Sequence, residues 1–170
     1  CAPDTVVQSD TEELNAQRRM VLEMLFVEGN HFCMACEKSG NCELQAQAYR
    51  LGLDAARFDF LEPQRPVDAS HPDVMIDHNR CIQCHRCVRA SRDVDGKAIF
   101  GFVGRGGEKH VGISGSDRLS ETEIEATDKA VEGCPVGALL RKRVGFAVPV
   151  GDRTYDHEPI GSDIEEEVTS

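Results

Sequence analysis

Between Ser9 and Val27 the apolar residues Leu14, Val21, Leu22 and Leu25 recur at the spacing of one helical face. Ser9-x-x-Glu12 reads as a capping box at the start and Gly29 as the stop, which predicts a helix through about Val27 with that stripe as a core face. "ELQAQAYRLG" (43–52) predicts a second, short helix ending near Gly52. The stretch "LEPQRPVDASHPD" (61–73) carries Pro63, Pro66 and Pro72 and cannot hold regular structure for long. Two apolar runs around a glycine-rich turn in "KAIFGFVGRGGEKHVGIS" (97–114) predict a β-hairpin. Ser120-x-x-Glu123 reads as another capping box, opening a helix to about Glu132 that Gly133 ends. No repeat of solenoid length is present. The pattern is that of an α+β chain: a first unit over 1–60, a connector over 61–73, a second unit over 74–150 and an acidic tail over 151–170.

Composition makes the predicted core thin. Apolar residues make up 40 % of the 170 residues, aromatics 5 %, and there is no Trp. Something besides apolar burial is needed to hold units this small together. The formal charge of −11 opposes binding to nucleic acid or to an anionic membrane surface. Part of it lies in "SDIEEEVTS" (162–170), which reads as solvated and flexible. The most apolar stretch, Met20–Val27, is far too short to span a bilayer and is broken by Glu23.

The cysteines change the picture. Seven of the eight fall into two clusters, which points to metal binding in a reducing compartment, the cytoplasm, rather than to disulfides. Cys81, Cys84 and Cys87 form C-x2-C-x2-C. Ferredoxin motifs continue with x3-C-P, but that position is Ser91, and the Cys-Pro stands downstream as Cys134-Pro135. In two-cluster ferredoxins the cysteine before proline serves the other cluster, so Cys134 is the expected fourth ligand of this triplet. The second unit is therefore expected to be a degenerate, single-cluster ferredoxin-like domain. Three thiolates at this spacing converge on three corners of a [4Fe–4S] cluster, whereas zinc favours separate C-x2-C knuckles.

The first cluster, "EGNHFCMACEKSGNCELQ" (28–45), contains Cys33, Cys36 and Cys42 and no fourth cysteine. His31 fills that vacancy, which makes the first unit a small helical His/Cys3 module holding its own [4Fe–4S] cluster. Exchanging a thiolate for a neutral imidazole removes a negative charge and favours the reduced state. Two alternatives stay open here. One is a surface or supporting histidine with water as the fourth ligand; the other is zinc held by His31 and the three cysteines.

"RRMVLEMLFVEGNHFCMACEKSGNCELQ", "DHNRCIQCHRCVR" and "GCPVGALLRKRVG" resemble the diaphorase small subunit of NAD-reducing nickel–iron hydrogenases, over about Thr5 to Tyr155. That family is itself similar to the N-terminal part of the large iron–sulfur subunit of complex I. The resemblance implies a His/Cys3 [4Fe–4S] cluster and an all-cysteine one, relaying electrons between a flavin subunit that meets NAD(H) and the hydrogen-activating nickel–iron subunits. FMN and NAD are expected on the partner subunit. An iron–sulfur subunit of complex I or of an NAD-dependent formate dehydrogenase is the alternative within the class, and a zinc-stapled interaction module the alternative outside it. The complex I type spaces its histidine H-x3-C; that position here is Gly29, while His31 gives H-x-C. Relatives carry an N-terminal [2Fe–2S] domain that this sequence lacks, and Cys1 is the one cysteine without a place.

No acid–base pair, nucleophile or open metal position that would turn over substrate is visible, so no catalytic residue is expected. The glycines of "GFVGRGGE" fit no dinucleotide fingerprint and read as a turn. His85 reads as either a support for the cluster or an exposed loop residue. Arg80, Arg86, Arg89 and Arg92 crowd the second cysteine motif, where they either offset cluster charge or meet a partner. "LLRKRVGF" (139–146) reads as a docking strand or a core edge. His71, His78, His110 and His157 receive no role.

Overall fold

A computed structural model describes residues 2–162. Cys1 and most of the acidic run, 163–170, lie outside the described residues. The helix α1 runs Glu12–Glu28. Its N-cap is Thr11, whose hydroxyl accepts from the Leu14 N–H, two residues later than the Ser9 box predicted. The apolar stripe is also rotated: Val21 is exposed, while Leu22, Leu25 and Phe26 pack against the core and Val27 is buried. Glu23 is buried on the same helix, because the Arg57 backbone N–H and guanidinium both donate to its carboxylate, at 2.8 and 2.9 Å from the side chain. That pairing pins the irregular segment after α2 to α1.

The helix α2 (Glu43–Arg50) ends where expected, with Gly52 in the left-handed region just beyond it. Within the connector, β1 (Val67–Asp68) adds to β2 (Val74–Asp77), and β5 (Leu139–Arg141) pairs with the other edge of β2, so the sheet order is β1-β2-β5, all antiparallel. The alignment of Ile76 with Leu139 and of Val74 with Arg141 puts Val74, Ile76 and Leu139 in the interior. "LLRKRVGF" thus begins as a core strand. The helix α3 spans Arg86–Asp93, and the predicted hairpin is β3 (Phe100–Val103) paired with β4 (His110–Ile113).

The helix predicted from Ser120 does not form at that length. A single 3-10 turn covers Leu119–Glu121, and α4 covers only Lys129–Glu132. Leu119 and Ile124 both enter the core, which an uninterrupted helix from Ser120 would not allow alongside the hydrogen bonds seen here. Asp128 takes the Lys97 ammonium and the Glu125 N–H, and the first N–H groups of α4 are capped by Asp95 rather than by a local box. The cap is tertiary, hence invisible to local pattern. A last short helix, α5 (Thr154–His157), docks on the first cysteine loop: Tyr155 N–H donates to the Gly40 carbonyl and Thr154 N–H to Asn41 Oδ1, both at 2.9 Å. The first part of the expected tail is therefore packed structure.

One apolar cluster runs through both cysteine regions, from Cys42 and Leu44 to Val74, Ile76, Val111, Leu119, Val136 and Leu139.

The Glu23–Arg57 contact carries a pH dependence. The Arg57 guanidinium holds the Glu23 carboxyl below its ordinary value near 4.5, against the opposing effect of burial. A depressed folded value means the stabilisation is complete above about 4.5 and is lost as pH falls through the folded value. Glu23→Gln is expected to melt lower than wild type at pH 7, with the difference narrowing towards pH 3. Melting temperatures at the two pH values check it.

Candidate metal centres

The first donor set is built by the loop between α1 and α2. Gly29 ends α1, Cys33–Ala35 form a 3-10 turn, and Cys42 is the N-cap of α2. His31, Cys33, Cys36 and Cys42 line one cavity, closed by Phe26, Leu44, Arg80 and Gly137. Burial raises the Cys33 thiol and pushes Cys42 up to about 11, and neighbouring thiolates add to both effects. Buried sulfur without a cationic partner is held as thiol, so these positions are costly to ionise until a metal compensates.

His31 has the clearest electronic signature. Its Nε2 is buried with no hydrogen-bond partner, in the cavity that the three cysteines line. A neutral ring with its proton on Nδ1 presents that nitrogen's lone pair, the form a metal ligand takes. Burial, and secondarily the charge of Arg80, lowers the His31 pKa and keeps the ring neutral. The ring occupies the space a side chain at Gly29 would fill: a Cβ there would lie 2.3 Å from Nε2. Where the H-x3-C pattern carries its histidine at this position, a glycine here lets the histidine two residues later reach in.

The second set gathers at one end of the sheet, where β2 ends and β5 begins. Cys81 follows the 3-10 turn after β2, Cys84 leads into α3, Cys87 lies in its first turn, and Cys134 stands between α4 and β5. The four are near enough that Cys81, Cys84 and Cys134 all raise Cys87, which burial has already pushed up, to about 12 in all. Cys84 likewise raises the buried Cys134. Gln83 and His85 both take positive φ, 53° and 69°, which turns the Gln83 N–H towards Cys81 Sγ at 3.4 Å. Two non-glycine residues held left-handed in one loop are a strain that a polar constellation justifies. Leu139 N–H donates to Cys134 Sγ at 3.5 Å. N–H groups aimed at sulfur are what a thiolate bound to iron uses.

Among the described residues, no three His, Cys, Asp or Glu side chains are gathered tightly enough to hold a single metal ion. The first set lines a cavity instead. All seven described cysteines are free.

Several features lay beyond local pattern. Ser91, at the position where a ferredoxin carries its fourth cysteine, is buried, and its hydroxyl accepts the Ile99 N–H, anchoring the hairpin. His85 stacks on Phe102 at 4.2 Å between centroids and stays exposed. Arg86 forms a two-pronged pair with Glu43, Arg92 pairs with Asp93, and Arg80 turns to the first site. The two sites share a wall. Glu43, next to Cys42, donates its N–H to the carbonyl of Pro135, next to Cys134, at 2.9 Å. The backbone of Gly137 lies against Cys36, so a Cβ at 137 would be 2.5 Å from Cys36 Sγ. The only sequence signal for that contact is a glycine close behind a ligand cysteine, a mark of close backbone approach.

Comparison with known proteins finds iron–sulfur regions in the same two parts of the chain. The family model of the NADH-ubiquinone oxidoreductase-G iron-sulfur binding region matches residues 18–57, and that of the NADH-quinone oxidoreductase subunit 3 ferredoxin-like domain matches residues 71–140. The chain carries these two iron–sulfur elements in succession, and it is similar to several known proteins. Among them it is 39 % identical over 155 residues to the gamma subunit of the NAD-reducing hydrogenase HoxS of Cupriavidus necator, covering 91 % of this chain and 66 % of that subunit. It is 37 % identical to the mitochondrial NADH-ubiquinone oxidoreductase 78 kDa subunit of Candida albicans, over 83 % of this chain and 19 % of that protein. The fold superposes on a chain of an NAD+-reducing [NiFe]-hydrogenase solved in its H2-reduced state, with a TM-score of 0.85, 52 % identity, and 89 % of this chain against 64 % of the other. The sequence thus spans less than two thirds of the solved chain and about a fifth of the complex I relative.

Gly137→Ala places a methyl group against Cys36 from a residue of the other motif. The expected result is loss of iron from the first site alone, about half the total for two equal clusters, with the fold kept. Iron analysis and circular dichroism of the purified variant check it.

Proposed function

We propose that this chain is an electron-relay subunit of a soluble, NAD-linked hydrogenase, carrying two [4Fe–4S] clusters. His31, Cys33, Cys36 and Cys42 hold the first, and Cys81, Cys84, Cys87 and Cys134 the second. The flavin and NAD(H) sit on a diaphorase partner, and hydrogen is activated on nickel–iron subunits. Relatives in both hydrogenases and complex I belong to electron-transfer machines. The hydrogenase context is favoured because there the likeness extends over 66 % of the relative, against 19 % for complex I.

The observation that supports the relay most directly is the shared wall. Residues adjacent to Cys42 and Cys134 are joined by one backbone hydrogen bond, and Gly137 touches Cys36. Two donor sets joined this closely place their occupants in one continuous covalent and hydrogen-bonded path. A [4Fe–4S] cluster, when bound, accepts and releases an electron with little change in geometry; the chain's part is placement, dryness and charge. Neutral His31 sets one site apart electrostatically from the all-cysteine one. The N–H groups of Gln83 and Leu139 stabilise negative charge on the sulfurs of Cys81 and Cys134. No helix among the described residues is long and apolar enough to cross a membrane, and we place the complex in the cytoplasm.

The ligand assignment is tested by His31→Cys. The variant is expected to keep its iron, and the EPR signal of the first cluster is expected to titrate at a lower potential, because a thiolate adds a negative charge. An unchanged potential would remove His31 from the ligand set. Nickel that co-purifies with the complex supports the hydrogenase context; a nickel-free complex that reduces quinone refutes it.

A further inference from the structure

Arg80 belongs by sequence to the second motif, immediately before Cys81. In the fold it leaves that motif. The turn His78–Arg80 sends its side chain across the shared wall into the first cavity, where it is one of the lining residues. Nη1 lies 3.7 Å from Cys36 Sγ and 2.9 Å from Glu37 Oε2, while Nε is held 3.1 Å from Asp77 Oδ2. The side chain is 20 % exposed. Its stem runs beside Gly137, where a Cβ would come within 3.6 Å of Cδ. Two carboxylates on different elements therefore aim one planar cation at one ligand sulfur. The other arginines of the motif are bound to surface carboxylates or to solvent.

We infer that Arg80 is a positioning residue for redox tuning: its guanidinium, oriented by Glu37 and Asp77, donates to the Cys36 sulfur and raises the potential of the first cluster selectively. The inference rests on the two-cluster reading above. The physical reason is elementary. Adding an electron makes the cluster and its thiolates more negative, and a fixed cation with an N–H on sulfur stabilises that state more than the oxidised one. A guanidinium does this better than an ammonium, because its planar fork serves Glu37, Asp77 and Cys36 at once. It acts in the same direction as the neutral His31. Both devices make the first site easier to reduce. At the second site the sulfurs of Cys81 and Cys134 take backbone N–H groups instead, and Arg86, near Cys84 and Cys134, is held by Glu43.

The experiment is an EPR-monitored redox titration of the full chain with both clusters in place, comparing wild type, Arg80→Gln and Arg80→Lys. In Arg80→Gln the reduced-to-oxidised ratio of the first cluster at a fixed potential is expected to fall about tenfold, which for a one-electron couple is about 59 mV. The second cluster is the internal control and should not move. Lysine should recover part of the shift. A first-cluster potential unchanged in Arg80→Gln at full iron content overturns the inference, and so does a lysine variant as low as the glutamine one, since that assigns the shift to lost packing. Should Arg80→Gln fail to keep its first cluster, wild-type protein labelled with 15N only in arginine decides. Pulsed EPR of the reduced first cluster should show a 15N coupling, and its absence overturns the proposal. A wild-type protein with half the expected iron and no first-cluster signal refutes the underlying reading instead, and is recognised by that iron content.

Discussion

Buried donors that the chain cannot satisfy by itself are the constraint around which this molecule is organised. Cys42 is almost fully enclosed, Cys87 has its thiol pushed up to about 12, and His31 Nε2 has no hydrogen-bond partner. Leaving such groups dry and unpaired is costly for a polypeptide. Here the cost falls on a chain whose 40 % apolar content gives little to offset it. In the two-cluster reading proposed above, ligation resolves both problems at once, because the binding energy of a site that does not exist in the unfolded chain is folding energy. The fold follows from that requirement: α1 and α2 exist to bracket one donor loop, and β2, α3, α4 and β5 to bring three cysteines to a fourth.

The same constraint explains why the two cysteine regions are one body. Each site borrows a wall from the other. Gly137, from the second motif, backs Cys36 of the first; Arg80, also from the second, enters the first cavity; Glu43 of α2 binds both the Pro135 carbonyl and Arg86. The apolar cluster running from Leu44 to Leu139 fills the space between. In the proposed relay, shared walls fix the distance between the two donor sets by backbone contacts rather than by a flexible linker, a functional demand met by packing.

Sequence made the donors and most of the elements around them readable because their signals are local. The spacing of Cys81, Cys84 and Cys87, the remote Cys134-Pro135, the hairpin turn around Gly104–Gly106 and the stop at Gly52 are each decided within a few residues. What escaped was decided at long range. The helix expected from Ser120 shrank because Leu119 and Ile124 go to the core and α4 takes its cap from Asp95. The stripe on α1 was misjudged at Val21 because Glu23, a charged residue, earned an interior place through Arg57. Arg80 was grouped with its neighbours in sequence, whereas its partners Glu37 and Cys36 are 43 and 44 positions away. Charge and burial depend on tertiary partners, and a single sequence does not display those.

The most direct test of the central claim is a joint analysis of iron, acid-labile sulfide and zinc in the protein purified without air. Two cubane clusters in the two donor sets predict about eight iron and about eight sulfide per chain, with no stoichiometric zinc. Protein containing zinc in place of iron and no sulfide would contradict the account at both sites.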